Sequence, residues 1–149
     1  MAQFYFKILP TSNNFKCPKR ENKEDAGLDV FSTEEKTIFP GEAKLFTLGF
    51  KAEFPTGFEC QVRTRSGKAL KDKLIVLNAP GTIDSSYRGE YGVILYNADL
   101  GNKYPIRISK GDKIAQLVFN KVEFENKVEI VKKLSDTPRG EGGFGSSDK

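Results

Sequence analysis

Alternation with a period of two is the feature that most limits what this chain can fold into. Phe58, Cys60 and Val62 alternate with Glu59, Gln61 and Arg63, and Tyr104, Ile106 and Ile108 alternate around Pro105 and Arg107. Val122 and Phe124, then Val128 and Ile130, repeat the pattern among acids and lysines. Successive side chains on a strand point to opposite faces, so each such run predicts one buried and one wetted face. Residues 45–50 are more continuously apolar, which predicts a strand buried on both sides. Pro40-Gly41, Pro55-Thr56-Gly57, residues 99–102 and Lys110-Gly111-Asp112 punctuate the runs as turns. Many short strands at this spacing predict an all-β chain, a sandwich or jelly roll with little helix. No internal repeat or linker interrupts it, and 149 residues suit one domain.

One helical exception is expected. Ser66 is placed to cap a helix running through Lys68, Ala69, Leu70 and Lys71. Such a helix aims N–H groups and its positive end at whatever lies over Ser66, and Arg65 adds a forked donor suited to phosphate oxygens. The glycine-rich nucleotide loop ending in Gly-Lys-Ser/Thr is absent.

Residues 78–97 read as strand, tight connection, strand, with Asp84 and Tyr87 at the bend. That spacing lets a carboxylate and a ring face one small cavity. An ordinary hairpin, in which Asp84-Ser85-Ser86 only makes the turn, fits the same residues.

Composition narrows the chemistry. Histidine is absent, which removes the commonest general base, the Ser-His and Cys-His pairs, and nearly all zinc chemistry. Catalysis must then rest on carboxylates, Lys, Tyr or a metal carried in by the substrate. Cys17 and Cys60 make neither a disulfide framework nor a zinc spacing, so a reducing compartment is expected. The expected compartment is the cytoplasm, with a nuclear or viral-host compartment left open. No apolar run approaches a membrane span, and the N-terminus lacks the pattern of a signal peptide. The net charge is +4, and residues 63–73 hold Arg63, Arg65, Lys68, Lys71 and Lys73 against Asp72 alone. A compact basic window suits a small polyanion better than nucleic acid, whose binders spread charge along a face with aromatics interleaved.

Gln116 interrupts an apolar run, and its amide requires either a backbone partner or a ligand oxygen. Residues 138–147 then set four glycines around Arg139 and Phe144. Glycine at this density forms no stable strand or helix. The segment reads as a frayed tail, or as a mobile arm, residues 138–149, that closes over a ligand with Phe144 on a ring and Arg139 on an anion. Residues 1–137 form the β domain.

Together these segments resemble the trimeric all-β dUTPases. The motifs are Ala26-Gly27-Leu28-Asp29-Val30; Arg65-Ser66-Gly67; Gly81-Thr82-Ile83-Asp84 with Tyr87-Arg88-Gly89-Glu90; residues 111–117, from Gly-Asp-Lys to Gln-Leu; and residues 139–146. The resemblance implies a distorted jelly-roll or β-clip barrel with one short helix and a flexible glycine-rich tail. It implies hydrolysis of dUTP to dUMP and pyrophosphate, limiting uracil in DNA and supplying dUMP for dTMP synthesis. By resemblance, Asp84 orients the water that attacks the α-phosphorus, and Tyr87 packs on the deoxyribose, excluding a 2′-hydroxyl. Asn78, the main chain around Gly81, Thr82 and Ile83, and Gly92 read uracil. Arg65, Ser66, Gly67 and Gln116 cradle phosphates, while Arg139, Phe144, Gly145 and Ser146 clamp the γ-phosphate and cover the base. Mg²⁺ is expected to arrive on the triphosphate, with Asp29 supporting it through water. The expected partners are dUTP and two further copies of the chain in a homotrimer with shared sites, without nucleic acid or membrane. Lys68, Ser86, Lys113 and the ending Ser146-Ser147-Asp148 depart from the usual pattern. The rival readings are a dCTP deaminase relative and a catalytically silent trimeric regulator that binds nucleotide.

Overall fold

The alternation along residues 58–63 does what it predicts: Cys60 and Val62 are buried, and the polar residues between them are not. The structure is a computed structural model, and it describes residues 4–101, 104–124 and 127–144. Its strands are β1 (Lys7–Pro10), β2 (Leu28–Phe31), β3 (Lys36–Ile38), β4 (Ala43–Glu53), β5 (Phe58–Arg63), β6 (Leu74–Val76), β7 (Gly81–Asp84), β8 (Glu90–Asn97), β9 (Ile106–Ile108) and β10 (Lys113–Lys121). The one helix among the described residues, α1, spans Ser66–Asp72.

Two four-stranded sheets, ordered β1-β4-β8-β6 and β2-β10-β5-β7, face each other, with β3 and β9 forming a small third sheet. All the pairs are antiparallel. Phe46, Leu48 and Phe50 of β4 and Val93 and Leu95 of β8 meet Val30, Cys60, Val62, Ile114 and Leu117 in one buried core. Each such side chain contributes about 1.5–3 kcal/mol on burial, which is what holds the sheets together. The β4–β8 ladder slips between Thr47 and Lys51. Gly49 lies there at φ 71°, where a Cβ would stand 2.7 Å from Thr33 Cγ2. A bulge of this kind bends a long strand so that it can follow a curved sheet.

Several expectations are corrected here. Residues 78–97 do not form a hairpin: β7 pairs with β5, whereas β8 pairs with β4 and β6, so the chain crosses from one sheet to the other. β4 is not buried on both sides, because Leu45 is exposed on the outer face. Residues 122–124 and 127–131 form no ladder, and Val128 and Ile130 are fully exposed. Alternation makes a segment fit for a strand, but a strand also needs a neighbour for its backbone groups. Tyr104 likewise lies outside β9. Arg65 occupies the N-cap of α1 with no side-chain cap, and Ser66 is the first helical residue. Among the described residues, no helix is long and apolar enough to cross a membrane.

Candidate active site

β7 and β8 leave the core on different sheets, and the loop between them spans the gap at one end of the sandwich. That gap is a cavity of about 420 Å³. Asp84, at the end of β7, and Tyr87, in the loop, both line it, as their spacing predicts. So do Asn78, Gly81, Thr82, Ile83 and Gly92. The buried Val62, Tyr91 and Val93 also line it, together with Leu45, Thr47, Glu90 and Ile94. The glycines are there for close approach. A Cβ at Gly92 would stand 2.9 Å from Leu45 Cδ1, and one at Gly81 would stand 3.3 Å from Asn78 Nδ2.

Local hydrogen bonds fix the loop. The Tyr87 N–H donates to the Asp84 carbonyl at 3.0 Å, closing the turn that sets carboxylate and ring on one side. The Tyr87 hydroxyl donates to the Glu90 carbonyl at 3.0 Å, and Arg88 donates to the Ser85 carbonyl at 2.7 Å. Thr11, just beyond β1, donates its hydroxyl to the Glu90 side chain at 3.1 Å. Nothing in the sequence pairs Thr11 with the loop, since β1 reaches it only through the sheet.

A second group of expected residues gathers around β2 and β10, away from the cavity lining. Asp29 accepts from Arg65 Nε at 2.9 Å and pairs with Lys113 Nζ at 3.0 Å. Lys113 also reaches Glu21 at 2.8 Å. The Glu21 bond is the larger cause that holds the Lys113 ammonium above its usual range, followed by the bond to Asp29. Tying Nε to a carboxylate orients the guanidinium and leaves its two terminal nitrogens available to an anion. Gln116 donates to the Thr64 carbonyl at 3.1 Å, so the interrupting amide has a backbone partner. Gly27 makes that possible, because a Cβ there would overlap Gln116 Oε1.

The basic window does not act as one patch. Arg63 donates to Gln61, Lys68 pairs with Asp72 one helical turn away at 3.0 Å, and Lys73 donates to the Leu70 carbonyl. Of the window's five cations only Lys68 is paired with a neighbouring acid, and only Arg65 joins the ionic cluster. Among the described residues no group of three or more acids and cysteines is arranged to hold a metal.

Arg139 and Phe144 do not line the cavity. Arg139 Nε donates to the Gly142 carbonyl at 2.8 Å, and Phe144 is fully exposed at φ 52°. Gly145 and Ser146 lie outside the described residues. Sequence reasoning missed Glu21, Tyr91 and Thr47. Tyr91 left a signal, an aromatic at an inward position of β8 close to Tyr87, whereas Glu21 sits in a loop with no pattern.

A family model described as dUTPase matches residues 13–148. The chain is 46% identical over 149 residues, 100% of both sequences, to the deoxyuridine 5'-triphosphate nucleotidohydrolase of Clostridium tetani. Among solved structures it is similar to the dUTPase of Staphylococcus bacteriophage 80alpha with dUPNHPP, at TM-score 0.85 and 29% identity, covering 96% of this chain and 98% of that one. A dUTPase from phage phi11 of S. aureus, described for its coordination of a structural Mg(II) ion, shares the fold at TM-score 0.78 and 24% identity, covering 89% of this chain and 99% of that one.

Proposed function

The chain belongs to the dUTPase family and hydrolyses dUTP to dUMP and pyrophosphate, and we propose that it does so with Asp84 holding the attacking water over the cavity. The observation that carries this is that Asp84 and Tyr87 line the same cavity. In the proposed reaction the water oxygen forms a bond to the α-phosphorus as the bond to the β-phosphate oxygen breaks. Asp84 orients the water and takes its proton, and pyrophosphate leaves.

Each remaining role follows from position. Tyr87 packs on the sugar where a 2′-hydroxyl would otherwise fit. Asn78, the main chain of residues 81–83 and Gly92 surround the base, and a wrong base edge leaves their polar groups unpaired. Arg65, Ser66, Gly67 and Gln116 take the phosphates, with Arg65 aimed by Asp29. The donor set fits Mg²⁺ held mainly by phosphate oxygens, since Asp29 is the one carboxylate in that cluster facing Arg65. Bound there through water, the ion would neutralise charge on the triphosphate.

Two features support a homotrimer with shared sites. Neither the ionic cluster nor the described part of the tail, residues 138–144, lines the cavity of a single chain, and the exposed apolar residues 128 and 130 precede the tail as a strand would that seeks a partner elsewhere. We assign residues 138–149 to an arm that closes over a neighbour's cavity, bringing Arg139, Phe144, Gly145 and Ser146 to the nucleotide. The unpaired thiols Cys17 and Cys60 suit the reducing cytoplasm.

The test is Asp84→Asn. Binding of dUTP should persist while pyrophosphate release falls by about 10²–10⁴-fold. Near-normal turnover would remove Asp84 from the mechanism. Release measured across dUTP, UTP, dTTP and dCTP, with and without Mg²⁺, tests the substrate and the ion together.

A further inference from the structure

The ring at the bend is held from two sides that the reaction itself does not require. On one side Tyr87 lies over Gly89: a Cβ there would overlap the ring's Cζ and hydroxyl and stand 2.8 Å from Cε2. Gly89 is not among the glycines at positive φ, so its backbone does not itself call for glycine. The three atoms nearest that Cβ all belong to Tyr87, so a side chain there meets the ring first.

On the inner side lies Tyr91, 1% exposed. Its ring centre is 6.2 Å from that of Tyr87, with the planes tilted by 38°. Tyr91 is itself braced by Phe50, whose ring centre is 4.9 Å away with the planes tilted by 39°, so the support runs from the core to the cavity through a row of tilted rings. The Tyr91 hydroxyl is buried, and no hydrogen-bond partner for it is found among the described residues. An unpaired buried hydroxyl is a cost, so what this position contributes is the ring's size and face.

We propose that Gly89 and Tyr91 are positioning residues that set discrimination between deoxyribo- and ribonucleotides by fixing the height of the Tyr87 ring over the cavity. The inference rests on the reading of Tyr87 as the wall against the sugar. A methyl group at 89 pushes the ring off its seat, and a smaller side chain at 91 lets it sink toward the core. Either change opens room for one hydroxyl. Discrimination at an apolar contact of this size is worth about 10–200-fold, so a small displacement of the ring is enough to erode it.

The experiment compares kcat/KM for dUTP and UTP in Gly89→Ala, Tyr91→Leu, Tyr91→Phe and Tyr87→Ala, each checked by thermal melting. Gly89→Ala and Tyr91→Leu should lower the dUTP-to-UTP ratio by about tenfold or more, and Tyr91→Phe should retain the wild-type ratio. A merely structural role would slow both substrates together and leave the ratio alone. If Tyr87→Ala relaxes selectivity while Gly89→Ala and Tyr91→Leu do not, the positioning inference fails by itself. If Tyr87→Ala leaves the ratio unchanged, the sugar-wall reading fails and takes the inference with it. Should Tyr91→Leu not fold, Gly89→Ala decides alone, since its backbone conformation suits alanine.

Discussion

A single methyl group at residue 27 is enough to disturb the phosphate side of the site. Gln116 donates to the Thr64 carbonyl at 3.1 Å, and a Cβ at Gly27 would overlap its Oε1 and stand 3.1 Å from its Cδ. Gly27→Ala should therefore swing the amide away, raising KM for dUTP about tenfold, the order of one lost hydrogen bond to a charged group, while thermal melting shows the fold intact. Steady-state kinetics check it, and an unchanged KM would take Gln116 out of the phosphate cradle. The sequence placed Gly27 and Gln116 in separate motifs but could not say that one makes room for the other, because that is a contact between β10 and the turn before β2. The same limit applied to the lysines. Lys68, one of the departures from the family's pattern, is given by its helical spacing to Asp72.

The Glu21–Lys113 bridge ties the loop before β2 to the start of β10. The Glu21 carboxyl is held below its ordinary value of 4.5, first by the hydrogen bond from Lys113 and then by the charges of Lys113 and Lys19. A value depressed in the folded state gives stability that is fully present above the unfolded value and is lost as pH falls through the lower, folded one. Melting temperatures of wild type and Glu21→Gln should accordingly differ above about pH 4.5, converge in acid, and lie closer at high salt because the pair is exposed. A gap that persists unchanged in acid would show that the bridge is not its source. The core sets the larger scale. Leu95→Ala in β8, at a fully buried position, should cost about 2–5 kcal/mol in urea unfolding; a cost below 1 kcal/mol would mean the sheets repack freely around β8. Alternation made β5 and β9 legible, since burial of one face is written into each local run, and β8 was read from its place after the tight connection. It could not tell a hairpin from a crossing, because β7 and β8 are neighbours in sequence on different sheets.

For the molecule as a whole the telling experiment is complementation. Chains truncated before Arg139 should keep their oligomeric state by light scattering and lose turnover about 10-fold or more, the order expected when a closing lid is removed. Mixing them with Asp84→Asn chains should restore activity if each arm serves a neighbour's cavity, and no recovery would place the arm on its own chain. What the sequence determined by itself was the kind of chemistry and the kind of fold. The lack of histidine leaves carboxylates, Lys, Tyr or a metal on the substrate to do the chemistry, alternating apolar residues demand paired sheets, and glycines around Arg139 and Phe144 disfavour regular structure, all from residue type and spacing alone. What only the tertiary structure decided was adjacency: that Asp84 and Tyr87 share a cavity with Thr47, that Asp29 aims Arg65, and that Tyr91 supports a ring from beneath. Thr47 and the Asp29–Arg65 pair join segments far apart in the chain, and even the nearby Tyr91 takes its place from the core behind it; that geometry is fixed by how two curved sheets pack, which no local pattern encodes.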